Sequence, residues 1–81
     1  MLVIDYLNTL ADTKQLAPLC RAGLIPVRAY TQREIFNTHQ ALLALPTYAD
    51  SPRLAVVETA RSCQVTQPTV YRALVAMKAS I

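Results

Sequence analysis

The sequence predicts an all-α fold in one domain spanning residues 1–81, with a three-helix unit over 31–78 preceded by one or two helices within 1–26. Three observations carry this. Apolar residues recur at helical spacing, as in Val56, Val57, Ala60 and Cys63 and again in Val70, Ala73, Leu74 and Met77. Helix-start signals stand where those patterns begin: Thr31 with Glu34, Ser51-Pro52, and Thr66 with Pro68. The N-terminal apolar run fits helical spacing (Val3, Leu7, Leu10) better than strand alternation.

Taken in order, Leu2 to Leu10 is apolar on nearly every side, so its helix is expected to be buried on more than one face. It either folds over its own core or serves as a dimerisation helix. Asp12 or Thr13 caps a shorter helix through Leu16, Leu19 and Cys20. Pro18 makes that helix start late or run irregularly. Gly23, the single glycine, follows the basic turn Arg21-Ala22 and reads as the residue just past the helix end. Leu24 to Val27 is an extended connector, because Pro26 turns Ile25 away from the helical region.

Thr31-Gln32-Arg33-Glu34 has the form of a capping box, with Tyr30 and Ile35 placed as a hydrophobic staple. The helix it opens runs to about Leu45, before Pro46, with Ile35, Phe36, Leu42 and Leu43 inward. His39 lies near that face and is expected to be a boundary residue with one nitrogen hydrogen-bonded. Residues 46–52 form a turn-rich loop in which Ser51 and Pro52 supply N-cap and N1 for the next helix, Arg53 to Cys63. Ala60 gives that helix a small residue where its neighbour crosses. Val65 plugs the turn, Thr66 caps the last helix, Gln67 to Lys78, and Pro68 sits harmlessly in its first turn. Gln67, Tyr71, Arg72, Val75 and Lys78 lie opposite its inner stripe.

The run Ala-Arg-Ser-Cys-Gln-Val-Thr-Gln-Pro-Thr-Val-Tyr-Arg-Ala-Leu, residues 60–74, resembles the helix-turn-helix of bacterial and phage DNA-binding proteins. The matching positions are Ala60, Cys63, Val65, Thr66, Val70 and Ala73 (or Leu74), and the resemblance extends over residues 53–78. One position departs: such motifs usually carry Gly in the turn, where this chain has Gln64. The resemblance implies a positive φ there, at about 1–2 kcal/mol for a residue with a β-carbon. It also implies a tri-helical helix-turn-helix domain. With three residues after Lys78, no C-terminal wing is expected.

Charge agrees with that expectation. Of a net charge of +3, residues 1–50 contribute nothing, because Lys14, Arg21, Arg28 and Arg33 balance Asp5, Asp12, Glu34 and Asp50. Arg53, Arg61, Arg72 and Lys78 face only Glu58, so the excess falls on the motif, where phosphates would be met. Gln67, Tyr71 and Arg72 are the expected base contacts; Gln suits adenine and Arg suits guanine. Arg53, Arg61, Thr66, Thr69 and Lys78 are the expected phosphate contacts.

The hydrophobic fraction, 53%, exceeds what the interior of so small a domain holds, and an N-terminal homodimer interface is the expected outlet. Charged residues are only 16%. No apolar run reaches the ~18 residues of a membrane span, and the start, with Asp5 and no basic segment, is unlike a secretory signal. Cys20 and Cys63 read as reduced core thiols of a cytoplasmic protein. One His and two distant Cys make no zinc site, and no phosphate loop, carboxylate pair or nucleophile–His pair is present. The expectation is a binding module without enzymatic activity, cofactor, metal or evident small-molecule effector. Its partner is double-stranded DNA and its use transcriptional regulation. Two alternatives stay open: a protein–protein adaptor working through the apolar N-terminal half, and a DNA-packaging or recombination accessory protein of a mobile element.

Overall fold

The computed structural model describes residues 1–80. Six helices follow one another: α1 (Val3–Asp12), α2 (Leu16–Arg21), α3 (Val27–Leu43), α4 (Pro46–Ala49), α5 (Pro52–Cys63) and α6 (Gln67–Met77). Among the described residues there is no strand, only one isolated bridge between Leu2 and Ser80.

Three reversals of the chain share one device. Each ends a helix with a residue of positive φ, Lys14 at 62°, Gly23 at 77° and Gln64 at 58°. In each, the residue after it donates its amide five positions back: Gln15 to Leu10 at 2.8 Å, Leu24 to Leu19 at 3.0 Å and Val65 to Ala60 at 3.0 Å. This is the Schellman closure, which satisfies carbonyls left free at the helix end. Gly23 takes the expected place just past α2 and Gln64 the strained place expected of it. Lys14 gave no signal in advance.

The interior is divided in two. One cluster joins Ile4, Leu7 and Leu10 of α1 to Leu16 of α2 and Met77 of α6, with Phe36 and Ala29 of α3 packed against it. The other joins Ile35 of α3 to Val56 and Ala60 of α5 and to Val70 and Ala73 of α6, with Cys63, Val65 and Leu74 beside it. α3 crosses both clusters and packs against α5 and α6, which also pack on each other. Leu7, only 4% exposed, therefore lies inside its own chain's core. Two of the exposed apolar groups near it are Leu2 and Tyr6.

Several local expectations are corrected. α3 begins at Val27, not at Thr31, with Pro26 in the N-cap position at φ −60° and ψ 142°. Thr31 and Glu34 are thus interior residues of the helix, and Glu34 instead accepts a hydrogen bond from Arg33 Nη1 at 2.9 Å. The reason is tertiary. Pro26 already supplies a start, and Ala29 gains burial against the first cluster, which favours four more residues of helix. α2 is flanked by Gln15, not by Asp12 or Thr13; Thr13 closes α1, its hydroxyl donating to Thr9 and Leu10 carbonyls at 3.1 Å. Pro18 is the third residue of α2, where an amide has no partner inside the helix anyway. Part of the loop at 46–52 is a single helical turn, α4. On α5 the buried stripe is Ala55, Val56, Thr59 and Ala60, while Val57 is exposed. Thr59 is admitted to the interior because its hydroxyl donates to the Ala55 carbonyl at 2.7 Å.

His39 departs furthest. It is 5% exposed, and neither ring nitrogen has a hydrogen-bond partner. Desolvation and, after it, the positive charge of Lys78 push its pKa below the ordinary histidine value, against a weaker opposite pull from the Pro52 backbone. The neutral ring is the form that this interior accepts.

Candidate nucleic-acid interface

α5 and α6 meet through small residues. Ala60 and Ala73 are both buried at the centre of the second cluster, with Val65 beside them from the turn. The turn has two irregular residues, Val65 and Thr66, after Gln64. Thr66 is in extended conformation, and its Oγ1 accepts from the Thr69 amide at 3.4 Å, the only side-chain cap at a helix start among the described residues. The two hydroxyls, Thr66 and Thr69, also share a hydrogen bond of 2.9 Å. They are committed to shaping the start of α6, so their capacity for phosphate is smaller than the sequence suggested.

The outer face of α6 separates the expected base contacts. Gln67, Tyr71 and Arg72 are all exposed. At 3.6 residues per turn, Gln67 and Tyr71 lie about 40° apart around the axis, whereas Gln67 and Arg72 are about 140° apart. Gln67 thus stands at one edge of the face and Arg72 at the other. Between them are Pro68, Tyr71 itself, 49% exposed, and Val75, 73% exposed. The centre of the surface is apolar, flanked by polar groups. Lys78 follows α6 directly on the Gln67 side, about 16 Å along the axis from it.

The cations of α5 are unequal. Arg53 is exposed beside Pro52, at the end of α5 remote from the turn. Arg61 is exposed near the turn, but its Nη2 is held by Glu58 at 2.8 Å. Its charge is partly answered within the chain, while no salt bridge engages Arg53, Arg72 or Lys78 among the described residues. Leu54 and Val57 share the outward side of α5 with Arg61, at i, i+3 and i+7. Val57 is thus outside the interior stripe expected of it. Thr59 was the available signal for the true stripe, since a Thr that bonds the carbonyl four residues back can be buried.

Among the described residues, no group of His, Cys, Asp and Glu side chains could hold a metal ion, and no helix is long and apolar enough to cross a membrane. Cys20 and Cys63 are both free thiols, half-buried against different clusters. Comparison of the chain with protein-family models, with curated proteins and with solved structures finds no match.

Proposed function

We propose that α5, the turn from Gln64 to Thr66 and α6 act as a helix-turn-helix that lays α6 in the major groove of duplex DNA. The observation that carries the reading is the turn. A non-glycine residue holds the left-handed conformation, its neighbour closes on Ala60, and a capped helix follows with its polar side chains outward. In this reading Gln67 reaches base edges from one side of α6, Arg72 from the other and Tyr71 from between them. Arg53 and Lys78 set register on phosphates, with weaker help from Arg61, Thr66 and Thr69. α3 braces the pair. The protein acts as a homodimer in transcriptional regulation, inside the cell, as a binding module and not an enzyme.

Four cations per chain limit the salt dependence. If all of Arg53, Arg61, Arg72 and Lys78 displace counterions, the logarithm of affinity falls with the logarithm of salt at a slope of about −3.6 per protomer. Fluorescence anisotropy with random-sequence duplex at two salt concentrations reads this directly. Lys78→Ala is expected to weaken all duplexes alike and to reduce the slope by about 0.9. Arg72→Ala is expected to cost about 1–3 kcal/mol on a selected site and less on random DNA. Absence of binding at low salt would reject the proposal. A second reading then leads, favoured by the exposed Tyr71 and Val75 at the centre of α6: a protein partner covers that apolar strip.

A further inference from the structure

We propose that the junction of α1, α2 and α3 is a binding site for a small organic anion, an apolar body carrying a carboxylate or a phosphate monoester. A pocket of about 350 Å³ opens there, within the range of small-ligand sites. Leu16 and Ala17 of α2 supply apolar wall, and Tyr30 of α3 adds a ring with a hydroxyl. Lys14, Arg21 and Arg33 complete the lining, and no acidic side chain takes part. Three of the eight cations of the chain therefore converge on one concavity, although along the sequence the first fifty residues are electrically balanced. Glu34 answers part of the Arg33 charge, so Lys14 and Arg21 are the cations left to attract an anion, and a concave wall of low polarisability concentrates their field.

The parts are held in place. Arg33 has a side chain only 18% exposed; its Nε donates to Asn8 Oδ1 at 2.8 Å and its Nη1 to Glu34 at 2.9 Å. Asn37 Nδ2 donates to the same Asn8 oxygen at 3.2 Å, so α1 and α3 are locked together behind the pocket. Lys14 stands at the positive-φ position between α1 and α2 and is exposed. Arg21 and Lys14 make no ion pair among the described residues. A guanidinium matches the two oxygens of a carboxylate or phosphate, and the ammonium adds a point charge. The apolar wall selects against inorganic anions, which have nothing to lay on it. The site is independent of the α5–α6 surface, though Tyr30 and Arg33 stand on the helix that also carries Ile35 into the second cluster.

The test is an amide-resolved NMR titration of the full chain with benzyl phosphate and with phenylacetate, beside benzyl alcohol and inorganic phosphate. The expected result is saturable shifts at residues 14–21 and 30–33 with either organic anion, and none with the alcohol. Lys14→Asn, which keeps a residue tolerant of positive φ, and Arg21→Gln are each expected to weaken binding about tenfold without lowering the melting temperature. The proposal is overturned by failure of both organic anions to saturate by about 10 mM, or by wild-type affinity in both variants. Inorganic phosphate binding as tightly as benzyl phosphate overturns it too. So does a pattern in which only duplex DNA moves these amides, because the cations would then be a contact for nucleic-acid backbone.

Discussion

At φ 58° the β-carbon of Gln64 crowds the backbone, a conformation that glycine adopts freely. Gln64→Gly is therefore expected to stabilise the protein by about 1 kcal/mol, part of the strain being returned as greater freedom of the unfolded chain. A thermal melt checks it, and an unchanged or lower midpoint would show that the Gln64 side chain makes compensating contacts. Thr31 behaves differently from its sequence promise. It is an exposed residue inside α3 and caps nothing, so Thr31→Ala should leave stability unchanged or raise it by a few tenths of a kcal/mol, about the difference in helix propensity. His39 links stability to pH. Its folded pKa is lowered from 6.5, first by burial and then by Lys78, so the folded state binds a proton less readily than the unfolded. The contribution is present above pH 6.5 and is lost as pH falls through the folded value. His39→Leu should flatten this acid limb. Chemical denaturation at pH 7.5 and pH 5 of both proteins reads the difference; equal pH dependence would place the acid sensitivity elsewhere.

Among elements, α5 and α6 were legible because their boundaries are set by neighbouring residues: Ser51-Pro52 at one start, Thr66 at the other, Gln64 between. Thr66→Ala should cost about 1 kcal/mol, the usual worth of an N-cap hydroxyl, which a urea melt can resolve. α3 was misread for the converse reason. Thr31 and Glu34 have the spacing of a capping box, but a cap competes with whatever the chain gains by continuing, and packing of Ala29 lies beyond any local pattern. Val57 is exposed on α5, against the expected stripe, and Thr59 is buried because its hydroxyl bonds the Ala55 carbonyl. The outer face of α6 was legible as a list of residues. Its division into a Gln67 edge and an Arg72 edge around the Tyr71 and Val75 centre appears once the helix position of each residue is fixed. The cationic pocket escaped sequence reading altogether, since Lys14, Arg21 and Arg33 come together only when three helices close.

For the whole molecule, the two clusters give α1 an interior role whatever its oligomeric state. Leu7→Arg should destabilise by more than about 3 kcal/mol, enough to unfold most of so small a domain, because a charge replaces a side chain packed beside Met77. The loss should be seen by circular dichroism and should not depend on protein concentration; a folded Leu7→Arg monomer would instead return α1 to the role of interface. Assembly is better probed from the exposed Tyr6 by sedimentation of Tyr6→Ser against wild type. The α1 docking also has a temporal side. The Val3 amide donates to the Ala79 carbonyl at 2.8 Å, and Met77 forms one wall around Ile4, Leu7 and Leu10. A ribosome delivers α1 well before Met77, so this apolar surface waits for its partner. At about 5–20 residues per second the wait is roughly 4–15 s, far longer than a helix or a local collapse needs. In that interval the apolar face of α1 is open to association with other chains, until Met77 of α6 packs against it.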